Sequence, residues 1–124
     1  HGFVEPKETY KYRNMCEILL APYQDATDGN RNAEWMSPIK LFEYMSSKKV
    51  IVCSDMNVVR EVVDEKSAVL VNNTDIDAWE HSINELIENK AKREELSQNA
   101  YKTFLENFTW ESRGKNILDF AIAN

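Results

Sequence analysis

Residues 37–55, SPIKLFEYMSSKKVIVCSD, pass from a helical pattern directly into a continuous apolar run. Pro38 is typical of the first turn of a helix, and Ser37 is predicted as its N-cap. Four apolar residues then recur at spacings of three and four and predict one buried helix face: Ile39, Phe42, Tyr44 and Met45. The β-branched run Val50–Ser54 predicts a strand that is buried on both faces, as in a parallel sheet.

The same alternation of helical and apolar patterns continues on both sides of this stretch. Apolar runs predict two more strands, at residues 17–22 and 67–72. Helical patterns predict five further helices: one starting at Pro6, one at residues 57–63, one capped by Thr74, one at residues 92–107, and one capped by Thr109. The chain is therefore predicted as an α/β fold, a Rossmann-like parallel sheet with helices on both faces.

Length and composition limit the classes of protein to be considered. The 124 residues are enough for one domain, and a net charge of −6 argues against a nucleic-acid partner. Cys16 and Cys53 are interpreted as free thiols of a reducing compartment, and with His1 and His81 they form no metal-ligand spacing. Three glycines exclude a glycine-rich phosphate loop. No apolar run reaches the length of a membrane-spanning helix, and the N-terminus has no signal-peptide pattern.

Lys40 and Glu43 lie where a parallel α/β sheet binds its ligands. Ligands sit beyond the carboxyl ends of the strands, where Tyr23 begins a polar loop and the helix after Ser37 starts. A cation in the first turn of a helix is unfavourable unless an anion lies nearby, and Glu43 follows one turn later. The pair fits a nucleotide diphosphate with its ribose. It also fits a solvated surface pair, which is the more common case at this spacing, so the residues alone leave both interpretations open.

Six motifs follow one another in the order typical of one enzyme family: HGFV, CEILLAPY, SPIKLFEYM, VREVV, SAVLV and a final FTW. In this order the chain resembles, over nearly its whole length, the C-terminal half of GT-B glycosyltransferases of the family 4, or group 1, type. The resemblance implies that residues 1–124 are a C-terminal nucleotide-sugar-binding domain, truncated at its N-terminal side and lacking the acceptor domain. Three strands are few for such a sheet, which agrees with this expectation.

The resemblance also assigns expected roles to individual residues. Glu43 corresponds to the second glutamate of a paired-acid motif, which holds the ribose hydroxyls of the nucleotide. The first glutamate falls at the position of Trp35, with Glu34 beside it as the candidate for contacts to the sugar. The remaining donor-binding candidates are in three places. The start of the helix contributes Ser37, Pro38, Ile39 and Lys40, and the loop expected to contact the base contributes Gly2, Phe3 and Val4. Tyr23 is expected in the wall of the pocket.

The activity implied is transfer of a sugar, with retention of configuration and without a metal cofactor, from a nucleotide-sugar substrate. A UDP-sugar is expected as the donor, and a saccharide or lipid-linked acceptor bound by a missing N-terminal domain is expected in bacterial O-antigen or capsule assembly. The fragment alone is expected to be inactive. The full protein is expected in the cytoplasm, either free or peripheral to the inner face of the plasma membrane. Two alternatives stay open: a GT-B sugar-nucleotide epimerase, and a non-catalytic interaction module of the same fold.

Overall fold

The structure, a computed structural model, describes residues 2–24 and 37–123. A short 3-10 helix, Pro6–Glu8, precedes the other elements. In chain order these are α1 (Thr9–Met15), β1 (Ile18–Ala21), α2 (Ile39–Ser46), β2 (Val50–Ser54), α3 (Asn57–Arg60), β3 (Val69–Val71), α4 (Ile76–Glu88), α5 (Lys90–Asn107) and α6 (Trp110–Ala123). The described strands form one parallel sheet in the order β1-β2-β3, which confirms the predicted α/β class.

Strand β2 lies at the centre of this sheet and contributes to two separate hydrophobic cores. All five of its residues are buried, and their side chains alternate between the two faces. Ile51 and Cys53 belong to a core built with α2, α3 and α5. Val50 and Val52 belong to a second core, which α4 and the first half of α5 cover. Helices therefore cover both faces of β2, as the continuous apolar run predicts.

Helix α2 buries Leu41 and Met45, which are fully inaccessible to solvent. The prediction that Ile39 belongs to the buried face is wrong, because its side chain is 62 % exposed. Phe42 and Tyr44 are half-buried against the first core, as predicted. Helix α2 is therefore rotated about its own axis so that Leu41 faces the sheet and Ile39 lies on the outer side.

Two predicted helix caps are also corrected. Pro38 occupies the N-cap position of α2 and no side chain caps that end, so Ser37 is not the cap. At the start of α4 the Asp75 carboxylate accepts from the Ala78 amide, whereas Thr74 was predicted as the cap. The predicted cap of the last helix is confirmed, since the Thr109 hydroxyl oxygen accepts from the amide of Ser112.

The predicted apolar faces of α4 and α5 are only partly buried. Leu86 in α4 and Leu96 and Ala100 in α5 lie in the cores. Ile76 and Ile87 of α4 are exposed. Most large apolar side chains of α6 are exposed as well: Trp110, Ile117, Leu118, Phe120 and Ile122. Helix α6 follows α5 in the chain and adds no buried residue to the described cores.

The turn between α2 and β2 has a backbone conformation that favours glycine. Lys48 has a φ of 54°, in the left-handed region that is costly for side chains with a Cβ atom. Its ammonium lies 4.3 Å from the centroid of the Tyr101 ring on α5, a cation–π contact that offsets part of this cost. This short turn connects the end of α2 to the start of the central strand β2.

Truncation of a core residue of α2 tests this packing. Leu41→Ala removes a fully buried side chain between the sheet and α5 and should lower the free energy of unfolding by about 2–5 kcal/mol. Leu118→Ala, the same truncation at an exposed position of α6, should change it by no more than about 0.5 kcal/mol. Urea unfolding followed by circular dichroism measures both, and equal losses would contradict the assigned core.

Candidate functional site

The carboxyl ends of β1 and β2 form the edge of the sheet at which α2 begins. The Ser54 hydroxyl, at the end of β2, donates to the Tyr23 carbonyl just past β1 over 2.6 Å. The Tyr44 hydroxyl of α2 donates to the Leu20 carbonyl of β1 over 3.2 Å. These two bonds fix the ends of both strands and the orientation of α2, so the groups on α2 have a defined position relative to the edge.

The start of α2 presents a positive charge to solvent. The amide of Ile39 donates to the Ser37 carbonyl over 2.8 Å, and the amide of Leu41 donates to the Pro38 carbonyl over 2.9 Å. Because these two backbone N–H groups already donate within the chain, fewer free N–H groups remain at the helix N-terminus for an external anion. Lys40 is exposed and forms no ion pair with another described residue, so its ammonium is the principal anion-attracting group at this end.

Glu43 lies one turn further along α2 and pairs with α1 instead of with Lys40. Its Oε2 atom accepts from Nη1 of Arg13 over 3.1 Å. Its backbone carbonyl accepts from the hydroxyls of Ser46 and Ser47. The side chain is 52 % exposed, so the carboxylate is both anchored and accessible. The simple Lys40–Glu43 surface pair, which the sequence left open, is absent from this helix.

A cavity of about 440 Å³ lies along the outer face of α2. It is lined by one face of α2 and the residue preceding it, by the end of α5, and by the start of α6: Ser37, Ile39, Phe42, Glu43, Ser46, Phe104, Phe108, Trp110 and Arg113. The rings of Phe42 and Phe108 pack at 4.7 Å between centroids and form its floor. The cavity combines apolar walls with one carboxylate and one guanidinium, which is typical of sites for polar organic ligands.

Tyr23 and Cys53 lie close together near this edge of the sheet, and the pKa of each side chain is raised. Burial, with a smaller contribution from the Asp55 charge, raises the pKa of the Cys53 thiol to about 12. Burial likewise raises the pKa of Tyr23 to about 12. The Tyr23 hydroxyl is buried and has no hydrogen-bond partner within the described ranges 2–24 and 37–123. Its ring packs against the first core, so a role in lining a donor pocket stays a prediction.

Arg60 is the cation that follows β2, and two carboxylates already neutralise its charge. Its guanidinium donates to both carboxylate oxygens of Asp55 and to Glu65. The hydrogen bonds from Arg60 lower the pKa of Asp55 and of Glu65 below their usual values. A guanidinium held between two carboxylates has little charge left for a phosphate, so Arg60 is a weaker candidate for anion binding than Lys40.

The structure brings some of the predicted site residues together. Ser37, Ile39 and Glu43 line the cavity described above, and Pro38 and Lys40 belong to the same helix start. Three other candidates form an open segment before α1, in which Gly2 has a φ of +70° that favours glycine: Gly2, Phe3 and Val4. They are absent from the described lining of the cavity. Glu34 lies outside the described residues.

Three charged or aromatic residues of this site were not predicted from the sequence. Trp110 and Arg113 line the cavity, and the FTW motif is the signal that could have indicated this end of the chain. Arg13 contacts Glu43 across a separation of 30 residues, and no local pattern links the two. Such a long-range ion pair becomes visible only when α1 and α2 are placed side by side.

The described part of the chain contains neither a metal-binding cluster nor a membrane-spanning helix. No cluster of three or more His, Cys, Asp or Glu side chains there could hold a metal ion. No helix among the described residues is long and apolar enough to cross a membrane.

Comparison with known proteins agrees with this architecture. The family described as "Glycosyl transferases group 1" matches residues 1–103. A sucrose-phosphate synthase from Thermosynechococcus elongatus superposes with a TM-score of 0.74 at 17 % identity, over 100 % of this chain and 30 % of its own. The C-terminal domain of a glycosyl transferase group 1 family protein from Francisella tularensis superposes with a TM-score of 0.69 at 18 % identity, over 89 % of this chain and 53 % of its own. No curated protein matches.

The buried Tyr23 hydroxyl and the buried Cys53 thiol predict loss of stability in alkaline solution. Their folded-state pKa values near 12 exceed the ordinary values of 10.0 and 9.0, so the unfolded chain releases protons first as the pH rises. The contribution of these two groups to the free energy of unfolding should be constant below about pH 9 and fall between about pH 9 and 12. Tyr23→Phe should reduce this fall while preserving stability at pH 7. Urea unfolding across this range is the measurement, and an unchanged slope in the variant would contradict the burial of Tyr23.

Proposed function

The chain belongs to the glycosyl transferases group 1 family, and on that premise we propose that it forms the donor-binding part of a glycosyltransferase. The ligand is a nucleotide-sugar, with a UDP-sugar as the expected donor, and it binds at the carboxyl edge of the sheet beside α2. The chain spans 30 % and 53 % of the two structures it resembles. Transfer of the sugar is therefore proposed for the whole protein, with the acceptor bound outside this chain.

The observation that carries the proposal is the position of Glu43. Its carboxylate is 52 % exposed at the sheet edge where α/β proteins bind ligands, and it lines a cavity of about 440 Å³. A carboxylate accepts hydrogen bonds strongly, and the vicinal hydroxyls of a ribose are hydrogen-bond donors. Lys40, which forms no ion pair with another described residue, lies three residues earlier on the same helix, where a diphosphate would find a cation.

This arrangement supports departure of the nucleoside diphosphate in the proposed reaction. As the bond between the sugar and the diphosphate breaks, negative charge grows on the leaving phosphate oxygens. Cations fixed near those oxygens stabilise the transition state more than the ground state. Lys40 is one such group, and Arg113 in the adjoining cavity is a second candidate. Retention of configuration and independence from a metal are the outcomes expected from the family resemblance.

The wider biological setting follows from the same resemblance. We infer a saccharide or lipid-linked acceptor in the assembly of a bacterial surface polysaccharide, with the whole protein in the cytoplasm or at the inner face of the plasma membrane. The non-catalytic interaction module and the sugar-nucleotide epimerase are rival outcomes. The first predicts no nucleotide binding, and the second predicts interconversion of sugar-nucleotides without an acceptor.

Removal of the carboxylate at position 43 tests the ribose contact. Glu43→Ala should weaken binding of UDP to this chain by about tenfold or more, since a hydrogen bond to a charged group contributes about 1.5–3 kcal/mol. Isothermal titration calorimetry with UDP, GDP and ADP measures the affinity and the preferred base. The matched control is Glu88→Ala, which removes an exposed carboxylate at the far end of α4 and should leave the affinity unchanged. Unchanged UDP affinity in Glu43→Ala would favour the interaction module.

A further inference from the structure

The side chain of Arg13 donates three hydrogen bonds, one within α1 and two that connect α1 to α2. Nη1 donates to the hydroxyl of Thr9 over 3.2 Å and to Oε2 of Glu43 over 3.1 Å. Nε donates to the hydroxyl of Ser47 over 3.3 Å. The Arg13 side chain is only 18 % exposed, whereas that of Glu43 is 52 % exposed. The guanidinium is therefore held inside the junction of the two helices, while the carboxylate reaches outward from it.

Arg13 and Ser47 together hold Glu43 at its side chain and at its backbone carbonyl. Arg13 fixes the carboxylate through Oε2, and Ser47, which accepts from Arg13, donates to the Glu43 carbonyl over 2.8 Å. The Oε1 atom has no hydrogen-bond partner among the described side chains and backbone groups. One carboxylate oxygen is thus anchored and the other is available. Such a side chain needs little reorganisation to accept a hydrogen bond from a ligand.

We propose that Arg13 is a positioning residue for the donor nucleotide, which holds the Glu43 carboxylate so that its free oxygen accepts from the ribose hydroxyls. This inference rests on the proposed function, because it assigns to Arg13 an action through the ribose contact of Glu43. The planar guanidinium is suited to the task, since it contacts several acceptors in a fixed geometry. A lysine ammonium at the same position supplies the charge without that geometry.

The contacts of Arg13 distinguish it from an ordinary surface ion pair. Exposed pairs on one helix are mobile and contribute little, and they commonly join residues three or four positions apart. Arg13 and Glu43 are 30 residues apart, and the arginine is largely buried between two elements. Because Nε and Nη1 both donate to groups of the protein, the side chain is directed toward α2, and its effect on a ligand passes through Glu43.

Paired nucleotides that differ only in the ribose test the inference directly. Affinities of the wild-type chain, Arg13→Gln, Glu43→Ala and the double variant are measured by calorimetry for UDP and for 2′,3′-dideoxyuridine diphosphate. Arg13→Gln should weaken UDP binding by about tenfold and leave binding of the dideoxy compound within about twofold. The double variant should bind UDP no more weakly than Glu43→Ala alone, because the two residues act through one contact. Thermal unfolding of each variant reports whether the fold is retained.

Two further variants serve as controls. Lys92→Gln removes one positive charge from a half-buried pair with Glu85, in helices α4 and α5, and should leave both affinities unchanged. Arg13→Lys keeps the charge, so it guards against misfolding of Arg13→Gln, and it should weaken UDP binding selectively and to a smaller extent. Equal weakening of both nucleotides by the Arg13 variants would overturn the inference in favour of direct phosphate contact or a structural role.

The remaining outcomes separate this inference from the proposed function. If Glu43→Ala weakens UDP binding and both Arg13 variants bind UDP as the wild type does, the positioning role is refuted and the ribose contact stands. If Glu43→Ala leaves UDP affinity unchanged, or the wild type binds both nucleotides equally well, the ribose contact is refuted, and the role of Arg13 is refuted with it.

Discussion

The burial of β2 on both faces is the constraint on which the rest of the structure depends. Five consecutive residues, Val50–Ser54, are inaccessible to solvent, and alternate side chains enter different cores. A strand buried in this way must be flanked by a strand on each side and covered by helices above and below, because its backbone groups have no water to bond. The neighbouring strands β1 and β3 satisfy that requirement, and α2 and α4 cover the two faces.

The packing of helix α2 against β2 determines which residues α2 presents at the candidate site. Leu41 and Met45 on its inner side pack into the core beneath β2, so its rotation and height over the sheet are fixed. The same rotation turns Ile39 and Glu43 outward to line the cavity. A residue on the outer face of a well-packed helix is held more accurately than one on a loop. The core packing of α2 and the accessibility of Glu43 are therefore two consequences of one helix orientation.

The sequence predicts the parts of the fold that local pattern determines. The bounds of β2 are correct because every residue of the strand is suited to burial, and the α/β alternation follows from the same kind of pattern. The inner face of α2 is misassigned at Ile39 because apolar residues surround the helix start, and only the sheet and α5 decide which of them points inward. The Arg13–Glu43 contact is invisible to any local pattern, since it depends on the packing of two helices 30 residues apart.

The central claim is that a nucleoside diphosphate binds at the start of α2, at the carboxyl edge of the sheet. Titration of the ¹⁵N-labelled chain with UDP, followed through the amide chemical shifts, tests it most directly. The largest shifts are expected at residues 39–43, with further changes at residues 2–4 where the base is expected. Shifts confined to the opposite edge of the sheet, around Lys49 and Lys90, or to the exposed face of α6, would contradict it.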